Sequence, residues 1–244
     1  TVSASCVFYE PFDSLSSVIA NGGNVYGSLT FSDFPCGKAA YFNGYSEVAY
    51  PVYGRFPLNG SFTIEFWTKT NNPTPIAQGL FGIGWLSYNP NSIGIFHSYV
   101  ERVITELWTS KPKQYQSWAD TGLYGGQWHH IAVTLKRSGK CFKLTTYIDG
   151  TAGTSFSGCN FWIDKDETMK IGWTGYYGYA EDTYIDEFRI YDYSKSSAEI
   201  KADYQVMESC IVQTPCSSNS DCGTDEWVDS TVCDGKTLWG ILRT

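Results

Sequence analysis

The stretch Phe62-Thr63-Ile64-Glu65-Phe66-Trp67-Thr68 decides the fold class. In an extended chain, side chains alternate between faces, so Phe62, Ile64 and Phe66 share one face and Thr63, Glu65 and Trp67 the other. The same period of two returns in Ile131-Ala132-Val133-Thr134-Leu135 and in Phe142-Lys143-Leu144-Thr145-Thr146-Tyr147-Ile148. It returns again in Ile185-Asp186-Glu187-Phe188-Arg189-Ile190-Tyr191. Turn-forming clusters such as Asn71-Asn72-Pro73 and Asn89-Pro90-Asn91 separate these runs. Many short strands with such punctuation predict an all-β, two-sheet sandwich or jelly roll.

One segment reads as helix. Ser196-Ser197-Ala198-Glu199 is a capping box, with Ile200 and Tyr204 on one face behind it, so a short helix is expected near 196–204. The chain has 244 residues, enough to bury one large core with a small appendage. Aromatic residues make up 17% and there are 24 glycines, which favours strands and tight turns over helix bundles. A net charge of −8 argues against a nucleic-acid surface, which needs a basic patch to displace counterions. No apolar run is long enough to span a membrane. The first residue is Thr1, so a secretory signal is expected to have been removed before this numbering starts.

Eight cysteines without any C-x-x-C spacing read as disulfides and hence as an oxidising, extracellular compartment. Tyr147-Ile148-Asp149-Gly150-Thr151 is a strand running into a glycine turn. Cys141 and Cys159 lie nine residues either side of Gly150, so a hairpin there sets them opposite each other and predicts a Cys141–Cys159 bond. After about residue 207 the apolar pattern fades. Cys210, Cys216, Cys222 and Cys233 follow with five, five and ten intervening residues. We therefore divide the chain into a main domain, 1–207, and a disulfide-rich extension, 208–244. The pairing of those four is open, and Cys6–Cys36 is the expected N-terminal pair unless either joins them. Asn59-Gly60-Ser61 is a glycosylation sequon.

Several segments stand in a known order: Cys36 to Val48 with Tyr41-Phe42-Asn43-Gly44, Phe62 to Trp67, and Gly126-Gln127-Trp128-His129-His130-Ile131-Ala132-Val133. Tyr147-Ile148-Asp149-Gly150, Ile185 to Asp192 and Ser197-Ala198-Glu199-Ile200 complete it. The series resembles the laminin G-like, concanavalin A-like lectin/glucanase domains over roughly residues 6–206; the tail from 207 matches nothing in that pattern. The resemblance implies an antiparallel jelly roll and extracellular roles: binding glycans or proteins, or serving as a spacer beside a catalytic domain. It also implies calcium in many members. Asp13, Asp182 and Asp186 are the candidate ligands for Ca2+, an ion that wants several oxygens. The concanavalin A-like glucanases carry a Glu-x-Asp-x-Glu strand, and Glu181-Asp182-Thr183-Tyr184-Ile185-Asp186-Glu187 does not fit that register. Neighbouring Asp186 and Glu187 face opposite sides of a strand, so they do not form a glycosidase pair. Glu187 is expected to pair with Arg189, and Asp186 to make buried hydrogen bonds or cap a turn. Adjacent His129 and His130 likewise cannot chelate one ion; the segment reads as a packing Trp128 with a hydrogen-bonded histidine at a strand start. Gly235-Lys236-Thr237 lacks the rest of a phosphate-binding loop.

Flat aromatic side chains are the strongest binding signal. Trp173, Tyr176, Tyr177 and Tyr179 crowd the loop Gly172-Trp173-Thr174-Gly175-Tyr176-Tyr177-Gly178-Tyr179, and Trp108, Tyr115, Trp118 and Tyr124 populate 108–126. Such rings stack on sugar faces, anchor protein interfaces, or fill a core. The expected function is a non-catalytic extracellular module that binds glycans or proteins. The alternative is a structural protomer of an extracellular filament or surface coat, a homopolymer whose extension contacts neighbouring subunits.

Overall fold

A computed structural model describes residues 5–34, 37–73, 76–86, 90–109, 114–120, 122, 125–211, 230–231 and 237–238. In chain order the main elements are β1 (Cys6–Glu10), α1 (Leu15–Ala20), β2 (Asn24–Tyr26), β3 (Thr30–Phe34), β4 (Gly37–Phe42), β5 (Glu47–Pro51), β6 (Phe62–Thr70) and β7 (Gln78–Ile83). They continue with β8 (Ser92–His97), β9 (Arg102–Trp108), β10 (Gln114–Asp120), β11 (His129–Ser138), β12 (Cys141–Ile148) and β13 (Thr151–Cys159). β14 (Thr168–Ile171), β15 (Thr183–Tyr191) and α2 (Ser197–Ile211) close the main body, and a small pair, β16 (Ser230–Thr231) and β17 (Thr237–Leu238), follows.

The strands form the expected two antiparallel sheets. One has eight strands, in the order β13-β12-β11-β6-β15-β4-β3 with β1 also on β15; the other has seven, in the order β10-β9-β8-β7-β14-β5-β2. Phe62, Ile64 and Phe66 point into the core between the sheets, and Trp67 points out of it. Ile131, Val133 and Leu135 add to the core from β11, as do Phe81, Ile83, Ile93 and Ile95 from the opposite sheet. At the outer edge β13 closes against β10: Trp118 N donates to Thr154 Oγ1 at 2.8 Å, and that hydroxyl donates to Trp118 O at 3.1 Å. A Cβ at Gly153 would sit 2.3 Å from Trp118 O, so only glycine lets the strands meet there.

The hairpin behaves as its sequence predicts. Asp149 and Gly150 have φ of 48° and 71°, the two left-handed residues of a tight hairpin turn. Cys141 stands opposite Cys159 and is bonded to it at 2.01 Å. Cys6 is also in a disulfide. Its expected partner Cys36 lies outside the described residues, as do Cys216, Cys222 and Cys233; Cys210 falls within α2.

Two expectations are modified. Alternation through 185–191 is not regular: the register shifts between Asp186 and Arg189, and Glu187 has a φ of 52°. That irregularity puts Ile185, Phe188 and Ile190 all in the core, and it lies where the outer partner of β15 changes from β4 to β1. The helix is longer than 196–204. Its capping box forms as read, with Ser196 N donating to Glu199 Oε2 at 2.7 Å and Glu199 N to Ser196 Oγ at 3.3 Å. The helix then runs on to Ile211. It lies across the outer face of the eight-stranded sheet, where Tyr204 stacks on Trp67 at 5.8 Å and Ile200 joins Ala132 and Tyr147.

Candidate functional site

The glycine-aromatic loop 172–179 folds back over the outer face of the seven-stranded sheet. Trp173 and Tyr179 pair across its base. Its backbone rests on β7: a Cβ at Gly79 would lie 2.5 Å from both Gly178 O and Thr174 N. The missing side chain on β7 therefore lets the loop settle, and settling carries Tyr177 onto Phe96, with ring centroids 3.6 Å apart and nearly parallel. Tyr176 is left 61% exposed, and Tyr99 beside it 71% exposed. Together with Ala77, Ser98 and Ile104 these rings border a cavity of about 570 Å³.

The register of β8, β9 and β10 extends this surface sideways. Phe96, Ile104 and Trp118 stand in one row across the strands, Gly94, Glu106 and Gln116 in the next, and Ser92, Trp108 and Gln114 in the third. At the centre, Glu106 is fully buried. Its Oε1 accepts from Trp108 Nε1, and its Oε2 accepts from Gln114 Nε2 and Gln116 Nε2, both at 2.7 Å. The Tyr177 hydroxyl faces the same carboxylate. Burial, and next the charge of Glu106, push its pKa up to about 12. Arg102 lies 5.5 Å from the Trp118 ring and is paired with Asp120 at 2.6 Å.

Of the aromatic residues singled out from sequence, Tyr176, Tyr177, Trp108 and Trp118 thus share one platform. Trp173 is buried at the loop base, edge-on to Trp85 at 5.4 Å, with Lys170 Nζ 4.1 Å from its ring. Tyr179 is exposed at the same base. Tyr115 turns into the core against Phe142 and Phe156. Tyr124 lies outside the described residues. Glu106, Gln114 and Gln116 were not anticipated, although Ile104, Glu106 and Trp108 fall at every second position and so signal a shared face.

The histidines are structural. His129 Nδ1 lies 2.7 Å from Asp149 Oδ2, and Asp149 Oδ1 accepts from His130 N at 2.9 Å, which ties the turn to the start of β11. His130 is buried between Trp67 and Tyr204. Burial lowers its pKa to about 3, so it is neutral at physiological pH. His97, also buried, is likewise held down to about 3 and faces Gln78 Nε2 at 3.1 Å.

The acids of β15 separate. Glu187 pairs with Arg189, as expected, and accepts from the Tyr9 hydroxyl at 2.8 Å. Asp186 is buried, and its Oδ1 has no hydrogen-bond partner. Burial above all, and the adjacent Glu187 charge, raise its pKa to about 10, so it is protonated at pH 7. Asp13 is close enough to add to that shift. Asp182 accepts from Asn71 Nδ2 at 3.3 Å and stands at the turn before β15, whereas Asp186 lies within the strand. The three acids therefore do not converge, and no group of three or more His, Cys, Asp or Glu among the described residues is arranged to hold a metal. A cation that draws its other oxygens from backbone or water fits the orphaned oxygen of Asp186 and the nearby Asp13 only if it displaces the Asp186 proton; Asp182 does not fit it.

A laminin G family model, described as the concanavalin A-like lectin/glucanases superfamily, matches residues 42–201. The chain belongs to this superfamily. No curated protein matches its sequence. Among solved structures, the chain is similar to the binding domain of Paraclostridial Mosquitocidal Protein 1, with a TM-score of 0.64 and 16% identity over 83% of this chain and 52% of that one. It is similar to the receptor binding domain of botulinum neurotoxin type G, with a TM-score of 0.62 and 14% identity over 83% of this chain and 51% of that one. It thus spans about half the length of these toxin domains. Domain 4 of AbnA, a GH43 extracellular arabinanase from Geobacillus stearothermophilus solved in complex with arabinotriose, gives a TM-score of 0.57 and 23% identity. That match covers 82% of this chain and 98% of the other. At these identities the likeness is one of fold. No helix among the described residues of this superfamily member is long and apolar enough to cross a membrane.

Proposed function

We propose that this chain is a non-catalytic extracellular module that binds glycans on the outer face of its seven-stranded sheet. The observation that carries the reading is the platform around Glu106. Exposed Tyr176 and Tyr99 border a cavity of sugar size, and half-buried Tyr177, Trp108 and Trp118 flank buried polar groups. Aromatic faces with a few fixed polar atoms are what a ring with apolar C–H faces and an equatorial fringe of hydroxyls needs. The relatives support it: one is a domain solved with arabinotriose, and another is a botulinum neurotoxin DC binding domain in complex with SialylT. The Cys141–Cys159 bond supports an oxidising compartment.

Three accessory features belong to the same proposal. Residues 1–207 form the binding domain and 208–244 an extension. Asp13 and Asp186 hold a structural calcium ion. Asn59, exposed ahead of β6, carries a glycan in the secreted protein. Screening the purified protein on a glycan array tests the main reading. Hits are expected whose affinity drops about tenfold in Tyr176→Ala, a substitution at an exposed ring that leaves the fold intact. Array hits insensitive to Tyr176→Ala and Trp108→Ala would move the site elsewhere.

A further inference from the structure

Resting on that glycan-binding reading, we infer that the platform takes a run of linear glycan chain laid along β9, one end in the cavity beside Tyr176 and a later ring on Trp108. The length of the platform sets this requirement. β9 has seven residues, so its ends stand about 20 Å apart. The cavity belongs to one end: Ser98 N donates to the carbonyl of Arg102, the first residue of β9, and Tyr99 lies just beyond. Trp108 is the last residue of the same strand. The row of Glu106 separates the Trp108 row from the row of Phe96 and Ile104 that borders the cavity. A single sugar ring therefore cannot touch both Tyr176 and Trp108, and a ligand that uses both must span several rings.

The direction follows from what flanks the strand. On one side the loop 172–179 stands on β7, seated over Gly79 and Gly82, where a Cβ would meet loop backbone at 2.5 Å and 3.0 Å. On the other side β10 presents Trp118, Gln116 and Gln114 in successive rows. A glutamine amide both donates and accepts, as sugar hydroxyls do. β9 lies between these two flanks. The spacing along it is also fixed in advance. Glu106 accepts from Trp108 Nε1 at the far end, and the Tyr177 hydroxyl faces it from the cavity end. Both rings are thus held before a ligand arrives, which lowers the ordering cost of binding a long one.

Calorimetry of the intact chain with linear arabino-, xylo- and cello-oligosaccharides, from disaccharide to hexasaccharide, tests this. In the series that binds, affinity is expected to rise about thirtyfold from disaccharide to tetrasaccharide and then level off. Trp108→Ala is expected to cancel that rise: the tetrasaccharide weakens about thirtyfold, and the disaccharide, held at the cavity, is unchanged. Tyr176→Ala is expected to weaken both lengths alike, by about tenfold. The unchanged disaccharide also reports that Trp108→Ala is folded; should that variant fail to fold, the wild-type length series decides alone. Affinity that is flat with length, binding confined to branched epitopes on the array, or a Trp108→Ala loss equal for both lengths overturns the inference and leaves the glycan reading standing. Failure of every oligosaccharide and every array glycan to bind overturns both.

Discussion

The two outer faces of the sandwich bury Glu65 and Glu106 among aromatic rings and treat these two in opposite ways, while Glu47, also buried on the seven-stranded side, is paired with Lys170. On the eight-stranded sheet, Glu65 is neutralised by a cation: Lys195 Nζ lies 3.0 Å from Glu65 and 2.8 Å from Asp203 of α2. The helix then covers the face, with Tyr204 on Trp67. On the seven-stranded sheet, Glu106 is met by neutral donors, and no helix among the described residues covers it. Tyr176 and Tyr99 stay exposed there instead. A charge pair locks one face shut, while hydrogen bonds from uncharged side chains shape the other and leave it open to a ligand. The same residue type serves stability in one place and, on the proposed function, recognition in the other.

The largest expected effect breaks the closed face. Lys195→Met strands a buried carboxylate, and a loss of about 3 kcal/mol of unfolding free energy is expected by urea denaturation at pH 8. The loss should shrink at pH 5, because burial, opposed by Lys195, already holds the Glu65 pKa up at about 7 and the acid can simply protonate. Next comes the hairpin beneath α2, where Gly150 packs against Lys201 and Tyr204. Replacing both Cys141 and Cys159 by serine opens a link between residues 18 apart and is expected to cost about 3 kcal/mol without touching ligand affinity. On the open face, Trp108→Ala should weaken glycan binding by about 2 kcal/mol in calorimetry while leaving the helix face undisturbed.

The remaining expected effect is on pH dependence. Glu65 and Asp186 both have folded-state pKa values raised above those of the unfolded chain, to about 7 and about 10. A raised acid lends stability below its unfolded value and loses it as pH rises through the folded one. Stability should therefore decline from about pH 4 through 7 for Glu65, and on toward 10 for Asp186. Asp186→Asn should flatten the alkaline part of that slope in metal-free buffer. Calcium should raise the melting temperature of wild type and not of this variant; equal shifts in both would remove Asp186 from the proposed calcium site.

Much of this division was legible in the sequence. Phe62, Ile64 and Phe66 against Thr63, Glu65 and Trp67 already separate the two faces of β6, and the capping box at Ser196 already marks the helix. That the helix covers the second face is learned from the structure. The Cys141–Cys159 bond followed from symmetry about Gly150. The Glu106 cluster was not legible, because it depends on which residues of β8, β9 and β10 stand side by side, and register across strands is set by tertiary packing and turn geometry. The loop aromatics were recognised as a set, yet their fates diverge. Trp173 is used at the loop base, while Tyr177 is carried outward because Gly79, on another strand, makes room. The irregularity at Glu187 hid behind an apparently alternating run, since one extra residue changes which face follows.

Hydrogen–deuterium exchange of the intact chain, with and without the glycan that binds best on the array, tests the open-face assignment most directly. Protection concentrated in β9, β10 and the loop 172–179, with α2 unchanged, is the predicted result. Protection confined to α2 and the eight-stranded face, or none at a saturating ligand concentration, would contradict it.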